Sequence, residues 1–144
     1  MTVQPAQDIA SVDDIQDIIE RFYALLLNDE QVGFFFTEVA AIDLPAHLPR
    51  IVAFWNSLLF GVRAGFQGRV YEAHAALDAK SPLRPEHFER WLTLWQQEID
   101  RHHAGPKAEL MKTRAAAIAD SMSKAFETAR NSTPGDDANF YSAL

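Results

Sequence analysis

Residues 71 to 95 read YEAHAALDAKSPLRPEHFERWLTLW, and the fold turns on what the two halves of this stretch are. In the second half, Pro85 suits the first position of a helix, where its missing N–H costs no hydrogen bond. From there Phe88, Trp91, Leu92, Trp95 and Ile99 recur at intervals of three and four, the apolar stripe of an amphipathic helix. The first half, which holds His74, shows no clear helical period. Gly61, Gly65, Gly68 and Pro82 make residues 61–83 the least regular part of the middle.

Outward from this stretch the helical spacing repeats. Ser11 can cap a helix, with Asp14 reaching back as in a capping box. Ile15, Ile18, Ile19, Phe22 and Leu26 make its stripe, with Tyr23 at the edge, and NDEQVG (28–33) ends it. After the aromatic run FFFTEV (34–39) and the link AAIDLPAHLPR (40–50), a second helix carries Ile51, Phe54, Trp55, Leu58 and Leu59 and closes at Gly61. Proline removes a backbone donor, so Pro49 predicts that the regular part begins near Leu48. Beyond the break HHAGP (102–106), an alanine-rich helix opened by Pro106 is expected to bury Leu110, Met111, Ala117, Ile118, Met122 and Phe126. The tail NSTPGDDANFYSAL reads as loosely ordered, which sets a folded unit at residues 1–130 and a tail at 131–144. Strand signals are nearly absent; the fold class is all-α.

A chain of 144 residues is most simply one domain. Its 13 basic and 20 acidic residues give a net charge of -7, which argues against a nucleic-acid partner, since phosphate backbones need clustered Lys and Arg. The absence of cysteine excludes disulfides, thiolate metal sites and thiol nucleophiles. The N-terminus is polar and acidic where a signal peptide is basic and then apolar. No apolar run approaches the roughly 20 residues that cross a bilayer. A soluble cytoplasmic protein without membrane partners is expected.

Several chemistries fail on spacing. No Glu-x-x-His pair suits a di-iron bundle, and no His-Glu-x-x-His suits a zinc protease. A phosphate-cradling Gly-Lys loop and a Gly-x-Ser-x-Gly elbow are both missing. His102 and His103 decorate a helix end; Asp13, Asp14, Asp17 and Glu20 form an acidic first turn and a solvated face. Two readings survive. One is haem held by a single neutral imidazole in an apolar slot. The other is a haem-free helical interaction module, with aromatic stripes that are simply core.

The motifs RFYALLLNDEQVGFFF, HLPRIVAFWNSLLFG and AHAALDAKSPLR followed by PEHFERWLTLWQQEID together resemble the third group of bacterial truncated haemoglobins. The similarity runs from about Ile18 to about Met122, and the chain lacks any Gly-Gly pair, as that group does. The resemblance implies a shortened globin fold, a two-over-two helical sandwich around haem b (iron protoporphyrin IX). It makes His74 the iron ligand and Tyr23 the distal tyrosine. Phe36 becomes the aromatic packed on the haem, and His47, seven residues before Phe54, the distal histidine and a candidate gate. Trp91 lines the distal pocket, and Phe54 and Trp55 wall the porphyrin. His87 belongs to the Pro-Glu-His-Phe signature and is read as a partly exposed first-turn residue. Arg63, Lys80 and Arg84 are candidate partners for the haem propionates.

Two departures stand out. The stretch AALDAKSP (75–82) is longer than in compact members, and Pro49 suggests a non-helical mouth around His47. The implied function is binding of dioxygen, nitric oxide or carbon monoxide at a five-coordinate iron. Redox or nitric oxide dioxygenase chemistry with an electron-donor reductase, or a peroxidase-like activity, are the implied uses.

Overall fold

Two pairs of helices, one laid over the other, build the computed structural model, which describes residues 6–39, 44–61 and 70–131. The order among the described residues is α1 (Val12–Leu27), a π-helical turn (Phe35–Val39), α2 (Leu44–Phe60), α3 (Val70–Lys80), α4 (Pro85–His102) and α5 (Pro106–Asn131). α1 packs on α2 and α4 on α5, and the pairs meet chiefly where α1 crosses α4. This is the expected all-α, two-over-two sandwich. The core between the pairs holds Ile18, Phe22, Trp55, Trp95, Ile99, Met111 and Phe126. No described helix is long and apolar enough to cross a membrane.

The α1 stripe is buried as its spacing predicts, Tyr23 included. Its cap differs in one detail. Ser11 has the extended backbone of a capping residue but its hydroxyl makes no capping bond. Asp14 does reach back, and accepts the Ala10 N–H at 2.8 Å.

α2 begins at Leu44, four residues earlier than expected, and holds Pro49 inside. The first four N–H groups of a helix have no partner within it, so a proline in the sixth position deletes a single bond near the frayed end. His47 is therefore helical, and the non-helical mouth expected there is corrected. Gly61, at φ +73°, closes the helix in the left-handed conformation that glycine adopts without strain.

α3 is a second correction, since no helical period marked residues 70–80. Of its side chains from 74 to 80, Asp78 alone is buried, so there is no apolar stripe to read. In α5 the buried face is Ala108, Met111, Ala115, Ala119, Met122, Phe126 and Ala129. Ala117, expected in that face, is exposed, and Leu110 and Ile118 are half-buried. Small residues on this stripe let the α5 backbone lie close to α4. The 131–144 tail lies outside the described residues except for Asn131, which ends α5.

Residues 6–10 tie the N-terminal end to the α4–α5 corner. The Asp8 carboxylate accepts the N–H groups of Lys107 (3.0 Å) and Ala108 (2.9 Å), which are orphan donors of the first turn of α5. It also accepts its neighbour Ile9's N–H at 2.9 Å. Gly105 permits the approach: its φ is +146°, and a Cβ there would fall 2.6 Å from the Asp8 Cβ. Partial burial pushes the Asp8 carboxyl up, but the three N–H donors and the Lys107 ammonium together outweigh it and hold it below its usual value. A carboxylate depressed by folding stabilises above its unfolded pKa and loses that contribution as pH falls through the folded one. Asp8→Ala is expected to cost about 1 kcal/mol in urea unfolding at pH 7, a typical cap loss. The difference from wild type should begin to shrink as pH drops below about 4, where the unfolded carboxyl protonates, and close as the native carboxyl protonates at its lower pKa.

Candidate functional site

α2 presents two stripes with different fates. Val52, Trp55 and Leu59 are buried in the core. His47, Ile51, Phe54 and Leu58, spaced by four, three and four, fall on one line of the helix and are all half-buried. Large apolar side chains left half-covered in a row need an apolar neighbour. Phe36 on the π-helical turn and Phe88, Trp91 and Leu92 on α4 are half-buried in the same way.

Aromatic contacts fix the floor of this region. Trp91 stacks on Trp95 at 5.3 Å with only 10° between the rings, and Trp95 stacks on Trp55 at 5.1 Å. The edge of Phe22 meets both Trp91 (5.3 Å) and Trp95 (4.8 Å). Phe54 packs edge-on to Trp55 at 5.2 Å. Trp55 thus stands behind the half-buried stripe, in the core.

Tyr23 sits with its ring edge-on to Phe36 at 5.8 Å and to Phe22 at 5.7 Å. It is 8% exposed, and burial pushes its phenol well above the usual tyrosine value. Among the described residues its hydroxyl has no hydrogen-bond partner. A buried polar group without one calls for an explanation.

The histidines separate clearly. His74 is exposed on α3, and it lies near enough to His47 of α2 for its charge to act on that ring. Burial first, then the charges of Arg50 and His74, hold His47 below its usual imidazole value, which favours the neutral form. His87 does something else. Its Nδ1 accepts the Arg84 N–H at 3.0 Å at the start of α4, and its ring meets Phe35 at 4.8 Å. It is a capping residue of the first turn, as its position in the sequence predicts. Lys80 and Arg84 are exposed at the facing ends of α3 and α4, while Arg63 lies outside the described residues.

The fold has a known counterpart. The crystal structure of the group III truncated hemoglobin from Campylobacter jejuni superposes with a TM-score of 0.70, covering 83% of this chain and 94% of that one, at 22% sequence identity. The chain has the truncated-globin fold. No family model and no curated protein matches it in sequence.

Within this truncated-globin frame, helices α1 to α4 and the π-helical turn carry the residues singled out in the sequence. Tyr23 packs against Phe36, the charge of His74 reaches His47, and Trp55 lies in the core next to Phe54. Sequence reasoning missed Ile51 and Leu58 as companions of His47, although the four-three-four spacing was there to be read. It also missed Arg50 beside His47, for which a single charged residue gives no signal. Tyr23→Phe tests the orphan hydroxyl. Removing a buried, unsatisfied group is expected to leave the ligand-free protein as stable or up to about 1 kcal/mol more stable. A loss of that size in denaturant unfolding would reveal a bonding partner.

Proposed function

We propose that this chain is a haem-binding globin of the group III truncated haemoglobin type, holding haem b between α2, α3 and α4. What supports this reading is the truncated-globin fold, with a half-buried apolar line on α2 and a histidine on α3 whose charge acts on His47. The fit rests on three features. An iron ligand must be reachable by the group it binds, and His74 lies at the exposed surface of α3. A porphyrin needs apolar walls, and Phe36, Ile51, Phe54, Leu58 and Trp91 are half-buried apolar side chains. A polar guest needs a donor, and Tyr23 holds a buried O–H with no partner among the described residues.

When bound, haem supplies an iron that takes a diatomic gas and exchanges electrons. The chain supplies the rest. His74 would hold the iron through one ring nitrogen, while the other would fix the tautomer through the acceptor it meets. Tyr23 donates its O–H, which burial keeps protonated, toward dioxygen, nitric oxide or carbon monoxide. The Trp91 indole N–H is the second donor; it cannot ionise, so the pocket stays neutral. His47, held neutral, stands at the mouth as a gate, with Arg50 beside it to meet a propionate. Trp55 supports the wall from behind through Trp95. Two donors in a pocket of low dielectric slow gas release, which favours redox chemistry on the bound gas, with a separate electron donor, over oxygen carriage. The globin unit is residues 1–130, with the remaining tail outside it.

Haemin titration followed by visible spectroscopy tests the ligand. His74→Ala should lose the haem spectrum, while His87→Ala should keep it; the reverse result removes the assignment. Tyr23→Phe and Trp91→Leu should each speed dissociation of the bound gas by roughly tenfold, since one hydrogen bond is worth on the order of 1.4 kcal/mol. A chain ending at Arg130 should keep the wild-type spectrum.

A further inference from the structure

The helix that carries His74 is attached to the fold in an unusual way. Of the α3 side chains from 74 to 80, Ala75 and Leu77 are half-buried, and the one fully buried group is the carboxylate of Asp78, 5% exposed. Its Oδ1 accepts the Leu83 N–H at 2.7 Å and a short hydrogen bond from Nη1 of Arg130, near the end of α5. Leu83 itself is buried, so the chain leaving α3 is plugged into the core directly below the carboxylate. Beside the contacts of Ala75 and Leu77 with the apolar core, the described part of this helix is held by an ion pair and a capped turn.

That difference has a geometric consequence. Apolar burial is non-directional and resists a roll of the helix weakly. A charge-assisted hydrogen bond is short and directional. Asp78 follows His74 by four residues, so both lie on nearly the same line of the helix, one turn apart. A helix with its side chains is about 10–12 Å across, so a roll of about 10° moves an imidazole at its surface by about 1 Å. A shift of that size matters at a metal ligand.

We infer that the Asp78–Arg130 ion pair is a positioning device for His74: it fixes the roll of α3 and so the angle at which the imidazole meets iron. The inference rests on His74 being the iron ligand. Arg130 touches neither haem nor gas in this scheme and acts only through α3.

The test uses the haem-loaded full chain and the iron–imidazole stretching band in the resonance Raman spectrum of the ferrous form. Arg130→Met should shift and broaden the band and raise the rate of haem loss about tenfold, the lower end of effects seen when a ligand's supporting partner is removed. Arg130→Lys keeps the cation and should restore both to within about twofold of wild type. Arg21→Met removes the nearest cation from the other buried carboxylate, Glu98, leaving Arg101 and His102 beside it, and should lower stability without moving the band. Should Arg130→Met fail to fold, the neutral pair Asp78→Asn with Arg130→Gln takes its place, with the same shift expected. A wild-type band and haem-loss rate in Arg130→Met, or in that neutral pair, overturns the inference. A band that survives His74→Ala instead removes the ligand assignment, and the anchor's role with it.

Discussion

The stack around Trp95 is the interaction on which this fold depends. One indole, 1% exposed, meets Phe22 of α1, Trp55 of α2 and Trp91 of its own helix, and donates its N–H to the Met111 carbonyl of α5 at 3.2 Å. Each pair of the sandwich is thereby referred to the same side chain. Aromatic contacts add about 0.5–1.5 kcal/mol each beyond the area they bury, and they carry preferred angles. The satisfied N–H removes the penalty that burying an indole otherwise brings. Trp91, at one face of this stack, is half-buried, so the aromatic core reaches toward the surface of α4 there.

Buried charge is the second constraint. Glu98 is 2% exposed on α4 and accepts a 2.6 Å bond from Arg21 of α1, with His102 at 3.5 Å. Asp29, at the end of α1, is held by Arg90 of α4 at 2.7 Å and caps the Gln31 and Val32 N–H groups. Asp78 is held by Arg130. Such pairs contribute little net stability, because desolvation offsets the attraction, but losing one partner is costly. Their value here is register: each joins elements distant in sequence at one allowed position. The apolar core holds α1, α2, α4 and α5 together and touches α3 through Ala75 and Leu77, to which the Asp78 pair adds a directional tie.

How much of the site was legible follows from what kind of signal each residue left. Tyr23 and Trp91 sit on helices whose periodicity is strong, so their faces could be assigned before any coordinates, whereas His47 was expected ahead of the helix that holds it. Helix α3 left no such signal, because among its described side chains the buried one is a carboxylate, and pattern reading treats a lone Asp as surface. Pro49 misled in the other direction. Proline was read as a boundary, whereas in the first turns of a helix its missing donor removes a single bond. Ala117 and Ala115 are chemically identical in sequence, and only the line of approach of α4 separates the buried one from the exposed one.

Periodicity and composition alone determined an all-α chain with its main helices near the observed bounds, the absence of thiol chemistry, and a short set of histidines and aromatics able to serve a pocket. The likeness of the motifs, rather than the periodicity, chose His74 over His87 as the ligand candidate. Tertiary structure decided what depends on groups remote in sequence: that His47 and His74 lie near each other, that the Tyr23 hydroxyl is buried without a described partner, and that Asp78 faces Arg130. A helical stripe records only which face is apolar. What that face meets, and whether a charge upon it is paired, is set by chain segments that no local pattern contains.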